Sequence, residues 1–165
     1  MFHLFKRKKI SSTECVDIIE GIVYEHLKPS GFRKHGRTLH RFVEKDISQV
    51  INFQNGCPQK GVYDILWINI GIRVPECAEK KFVISEPMKK YYHEYECNIR
   101  TRLGSLVDGE DTFYDLGKRP KKIAADIIDR IKKYVIPVFD VLNSREAILL
   151  YRANYPSFDQ FANHI

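Results

Sequence analysis

Apolar residues recur at Val16, Ile19, Ile22, Val23 and Leu27, the 3.6-residue spacing of a helix with one buried face. This predicts a helix over 13–28. Ser11, Ser12 and Thr13 precede the stripe, and their hydroxyls can accept the orphan N–H groups of a first turn. Glu14, Asp17 and Glu20 place carboxylates in the early turns, toward the positive end of the helix dipole. Pro29, Ser30 and Gly31 supply the stop.

The period then changes from 3.6 to 2. A strand is predicted over 37–43 and a second over 47–54. In the second, Ile47, Gln49, Ile51 and Phe53 face one way, and Ser48, Val50, Asn52 and Gln54 the other. Glu44-Lys45-Asp46 is short enough to turn a hairpin between them. A third strand is predicted over 62–74, with Leu66, Ile68, Ile70 and Ile72 on one face and Tyr63, Ile65, Trp67 and Asn69 on the other. Its centre is largely apolar on both sides, as in a strand inside a sheet. Residues 75–96 read as a long excursion, with a short strand at 82–84 or a helical turn. Strand character returns over 97–106, where Ile99, Thr101 and Leu103 oppose Asn98, Arg100 and Arg102. Asp108-Gly109-Glu110-Asp111 reads as a turn, and 112–116 as a short edge strand.

The last third reads as helical. Ile123, Ile127, Ile128, Ile131 and Val135 trace an amphipathic stripe after Pro120. Pro137 is expected to kink or break it. Ser144 is placed to cap a further helix that Pro156 limits. Helix, hairpin-connected strands and then helices is the order of an α+β fold. The expectation is an antiparallel sheet of about four or five strands with the N-terminal helix and C-terminal helices packed on it. One domain over 1–165 suits the length, with 1–11 as a flexible basic tail and 120–165 as a helical section.

Composition adds bounds. Of 165 residues, 44% are hydrophobic and 29% charged, which excludes collagen-like and low-complexity chains. No run approaches the roughly 18–20 apolar residues of a membrane-spanning helix. The N-terminal Met1-Phe2-His3-Leu4-Phe5 precedes Lys6-Arg7-Lys8-Lys9, the reverse of a secretory leader. Cys15, Cys57, Cys77 and Cys97 form no Cys-x-x-Cys pair, and no histidine sits at zinc-finger spacing from them. They read as reduced thiols in a cytoplasmic protein with no metal and no cofactor. A net charge of +6, from 27 basic against 21 acidic side chains, admits acidic partners.

An ordered set of segments adds a resemblance. The helix end Leu27-Lys28-Pro29-Ser30-Gly31-Phe32 is followed by Arg33-Lys34-His35-Gly36-Arg37-Thr38. Then come Gln49-Val50-Ile51-Asn52-Phe53-Gln54, Asn69-Ile70-Gly71-Ile72 and Arg100-Thr101-Arg102-Leu103-Gly104. Over about 13–116 this series resembles the bacterial domain-of-unknown-function family numbered 4304. The resemblance implies an α+β bacterial domain and no particular chemistry.

The strongest candidate site follows from alternation. If one sheet face packs on the helices, the other gathers Asn52, Gln54, Trp67, Asn69, Arg100 and Arg102, with Asn98 alongside. Two guanidiniums can hold a carboxylate or phosphate by forked hydrogen bonds, with Trp67 as an apolar floor. The competing reading is a set of cross-strand polar pairs that only stabilise the sheet. A second candidate is the basic segment carrying Arg33, Lys34, Arg37 and Arg41, an anion-binding set with His35, His40, Gly31 and Gly36 nearby. It lacks the Lys-Ser/Thr that would complete a Walker loop after Gly31-x-x-x-x-Gly36. Lys118, Arg119, Lys121 and Lys122 form a further basic cluster. Tyr91, Tyr92, Tyr95, Tyr151, Tyr155 and Phe158 are anchors for a protein partner or, alternatively, packing residues. Asp108, Glu110 and Asp111 lack the calcium-loop pattern, and no local catalytic frame appears. The leading expectation is a non-enzymatic binding protein with a protein partner. A nucleic-acid-binding module using the basic hairpin and tail is the alternative, and an enzyme of unknown type stands third. Oligomeric state is not legible.

Overall fold

Ser11 opens the first helix by a reciprocal cap. Its hydroxyl accepts the Glu14 N–H at 3.1 Å, and the Glu14 carboxylate accepts the Ser11 N–H at 2.8 Å. That backbone hydrogen bond holds the Glu14 carboxyl below its usual range. α1 runs Ser12–Leu27 and buries Cys15, Val16, Ile19, Val23 and Leu27. A 3-10 turn, Lys28–Ser30, ends at Gly31 with φ 86°, the left-handed stop the sequence predicts. The computed structural model describes residues 10–56, 64–75, 89–117 and 119–155. The tail at 1–9, the loop and strand residues 57–63, the expected strand at 82–84, Cys77, Lys118 and Phe158 lie outside them.

Among the described residues six antiparallel strands follow: β1 (Arg33–His35), β2 (Thr38–Phe42), β3 (Ser48–Gly56), β4 (Ile65–Arg73), β5 (Ile99–Arg102) and β6 (Tyr114–Asp115). They lie in the order β1-β2-β3-β4-β5, with β6 paired to the start of β4. The architecture is therefore α+β, with β1 to β5 each paired to their sequence neighbours and β6 returning to β4. The strand added to expectation is β1. It has three exposed residues and no apolar alternation, and it closes on β2 through Gly36-Arg37. Gly36 sits at φ 54°, which a tight two-residue hairpin turn demands of its first central residue.

β5 ends at Arg102, not at 106 as the sequence pattern suggests. Leu103 begins α2 (Leu103–Asp108), which buries Leu103, Gly104 and Leu106. Leu103 and Leu106 are one helical turn apart, so both reach the core only if the backbone coils. Gly104 has no room for a side chain, since a Cβ there would lie 2.5 Å from the Thr112 backbone nitrogen.

The helical third comprises α3 (Pro120–Arg130), a π-helical turn (Ile131–Val135), α4 (Ile136–Val141) and α5 (Arg145–Asn154). The chain remains helical through Pro137 instead of breaking. The Ile136 N–H bonds Ile131 O five residues back, so the wider turn is made just before the residue that has no N–H to give. Ser144 caps α5 by accepting the Ala147 N–H at 3.2 Å.

The core lies between this helical layer and one sheet face. Ile51, Phe53, Leu66, Ile68, Ile70 and Ile72 meet Val16, Ile19, Val23, Ile123, Ile127 and Phe139, each 4% exposed or less. Gln49 shares that face and is fully buried. Its side-chain nitrogen donates to Phe139 O at 2.6 Å and Leu142 O at 3.0 Å, and its oxygen accepts from Arg41 Nε at 2.7 Å. The amide thus satisfies carbonyls at the end of α4 that the helix itself leaves orphaned.

Candidate functional site

Register determines what shares the second sheet face. Thr38, Asn52, Asn69 and Arg102 are cross-strand partners in one row. Gln54 and Trp67 form the next row toward β6. On the other side His40, Val50, Gly71 and Arg100 form a row, and Phe42, Ser48 and Arg73 the one beyond. The six predicted sheet-face residues therefore share a face, and they divide into two groups.

The Arg100 half is covered by a strap, residues 89–98. Tyr92 is 2% exposed and packs edge-on to Phe42 at 6.0 Å, with the Arg73 guanidinium 3.9 Å from its ring centre. Cys97 fills the space above Gly71, where a Cβ would lie 2.7 Å from its Sγ. Burial pushes the Cys97 thiol up, and the Cys15 thiol likewise, the opposite of an activated nucleophile. Tyr91 stacks on His35 at 3.5 Å. Arg100 is half exposed and lies 3.5 Å from Glu94 on the strap. Asn98 accepts the Val74 N–H at 2.9 Å, so it fastens the strap to the end of β4.

The other half is open at Gln54 and partly open at Asn52, Trp67 and Arg102, while Asn69 and Thr38 are buried. Asn69 donates to Gln54 Oε1 at 2.9 Å and to Asn52 Oδ1 at 3.2 Å. Asn52 in turn donates to Thr38 Oγ1 at 3.1 Å and to Arg37 O at 3.2 Å. This amide ladder crosses three strands and fixes each side chain by its neighbour. Trp67 lies against Gly56, which has no room for a Cβ. The Arg102 guanidinium covers the indole at 4.7 Å, and Phe113, half exposed, meets it edge-on at 6.2 Å. Trp67 is thus a floor for Arg102 and not a bare platform. Arg102 also forms an exposed ion pair with Asp111.

The basic hairpin is differently disposed. Lys34 meets the buried Glu20 at 2.9 Å, and Arg37 meets Asp17 at 2.8 Å. Arg41 meets Asp140 at 3.0 Å, donates to Ser30 O at 3.0 Å and covers the Phe32 ring at 4.9 Å. Three of the four predicted anion-binding cations therefore fasten the hairpin to the helical layer. Arg33 alone points to the second face without an ion pair to a described residue.

What the residue pattern did not reveal is the imidazole content of the covered half. His35, His40 and His93 come together around Tyr91, from segments whose adjacency needs the register. Tyr91, His93 and Tyr95 at alternate positions were the available signal. Among the described residues no group of three or more His, Cys, Asp or Glu is disposed to hold a metal ion, and no helix is long and apolar enough to cross a membrane.

No curated protein and no solved structure matches the chain. The model of one family, described as a domain of unknown function (DUF4304), matches residues 23–141. The match takes in the end of α1, the whole sheet and α2 to α4, so the chain belongs to the DUF4304 family.

Proposed function

We propose that the protein is a non-enzymatic binding protein that docks an acidic surface of a protein partner on the open half of the second sheet face. The observation that carries this reading is the Arg102 guanidinium laid on Trp67 beside the Asn52–Asn69–Gln54 ladder. Stacking orients the planar cation, so little side-chain freedom is lost when it takes a carboxylate. Asp111 is a weak competitor, because exposed ion pairs contribute about 0–1 kcal/mol. The chain's net charge of +6 draws acidic surfaces toward it. Arg100, beside Glu94, is peripheral to this site. A cytoplasmic, single-domain protein with reduced cysteines and no cofactor accords with this reading. Nucleic-acid binding at the hairpin is less favoured, since Lys34, Arg37 and Arg41 are taken up by carboxylates.

Hexaglutamate serves as the probe, followed by calorimetry at low salt. The expected result is that Arg102→Ala weakens binding roughly tenfold or more, the loss of a charge-assisted hydrogen-bond pair, with the thermal midpoint little changed. Absence of binding to the wild-type protein, or an Arg102→Ala variant that binds as tightly, contradicts the proposal.

A further inference from the structure

The strap carries two distinct sides. Tyr92 and Cys97 point into the sheet, while Tyr91, His93 and Tyr95, at alternate positions, form an outer row. The row starts on His35, stacked with Tyr91 at 3.5 Å and 23°. It passes through the edge contact of Tyr91 with His93 at 5.3 Å. It ends where His93 and Tyr95 stack at 5.0 Å and 12°. Tyr95 is 69% exposed, the most exposed large apolar side chain among the described residues. An aromatic ring held in place by stacking beneath it, with its outer side in water, has the geometry on which nucleobases stack.

Charge around the row points the same way. Lys89 and Lys90 directly precede Tyr91, Arg33 is the cross-strand partner of His40 beneath Tyr91, and Arg100 lies next to the strap, against Glu94 and Glu96. Glu96 is paired with Lys89 and Glu94 lies beside Arg100, while Arg33 and Lys90 have no ion pair to a described residue. The surplus is cationic and flanks the rings, as required by a strand whose bases stack and whose phosphates lie alongside.

We propose that the Tyr91–His93–Tyr95 row, flanked by Arg33 and Lys90, is a stacking surface for single-stranded nucleic acid. It is separate from the Arg102–Trp67 site and does not depend on that reading. A base stacks on the outer face of Tyr95, and the two cations contact phosphates. Recognition is tolerant of sequence, because stacking uses the π face that every base has.

The test is fluorescence anisotropy with a labelled oligothymidylate of about twelve nucleotides, within the usual site sizes for such surfaces, at about 50 and 200 mM salt. Two phosphate contacts predict a slope of log affinity against log salt of about −1.4, at about −0.7 per contact. Tyr95→Ala should weaken binding roughly fivefold or more. Tyr95 is exposed, so the variant keeps the fold, which circular dichroism checks. Arg33→Ala should make the slope shallower by about 0.7. No binding of the oligonucleotide at the lower salt overturns the proposal, and so does binding that Tyr95→Ala leaves unchanged. Because hexaglutamate binding is read separately through Arg102, failure of one surface is distinguishable from failure of the other.

Discussion

His40 is 5% exposed beneath Tyr91, and its Nδ1 has no hydrogen-bond partner among the described residues. Burial, and then the nearby His35 and Arg33, lower its pKa from the ordinary 6.5. The unfolded chain therefore takes up a proton more readily than the native one. The contribution of neutral His40 is complete above pH 6.5 and declines as the pH falls through that value toward the lower native pKa. Urea unfolding at about pH 7.5 and 5.5 should show lower stability at the acid end. His40→Phe, which keeps a ring under Tyr91, should remove part of that difference, and an unchanged pH dependence would show that His40 titrates normally. Gly71 is the second informative residue. A Cβ there would meet Cys97 Sγ at 2.7 Å and Cys97 Cβ at 2.8 Å, so Gly71→Ala must lift the strap or bend β4. Overpacking of this kind costs about 1–3 kcal/mol, measurable by chemical denaturation. An Ala variant as stable as wild type would mean that the strap does not rest there.

Elements were legible where one physical signal dominated. α1, its serine cap, the alternation of β3 and β4 and the Ile123–Val135 stripe all follow from periodicity, because each element has one face in a single core. β1 was not legible, since its residues are exposed and its existence depends on pairing with β2. The end of β5 was misplaced for a related reason: Leu103 fits either period, and only the docking of Leu106 decides for a helix. The shared face of Trp67, Asn69 and Arg102 was implicit in alternation. Its division by the strap was not, because the strap's seat on Gly71 and Phe42 is set by tertiary contact. The clearest cross-element tie is Gln49, whose buried amide holds the carbonyls of Phe139 and Leu142. Gln49→Leu keeps the volume but leaves those acceptors and Arg41 without it. A loss of about 1–3 kcal/mol is expected, and a neutral effect in thermal unfolding would mean that water replaces the amide.

For the whole molecule, one sheet face makes the core and the other divides between a strap and an open polar field. Three of the four hairpin cations serve the first face by tying it to α1 and α4, through Asp17, Glu20 and Asp140. This leaves Arg102 as the cation of the open field, oriented by Trp67 and, among the described residues, paired with the exposed carboxylate of Asp111. Residue-resolved NMR during titration with hexaglutamate tests this division most directly. The account predicts shifts at the Trp67 indole N–H, the Gln54 and Asn69 side-chain amides and the Arg102 guanidinium, with α1 and α3 unaffected. Shifts confined to the helical layer, or spread evenly over the basic surface, would contradict it.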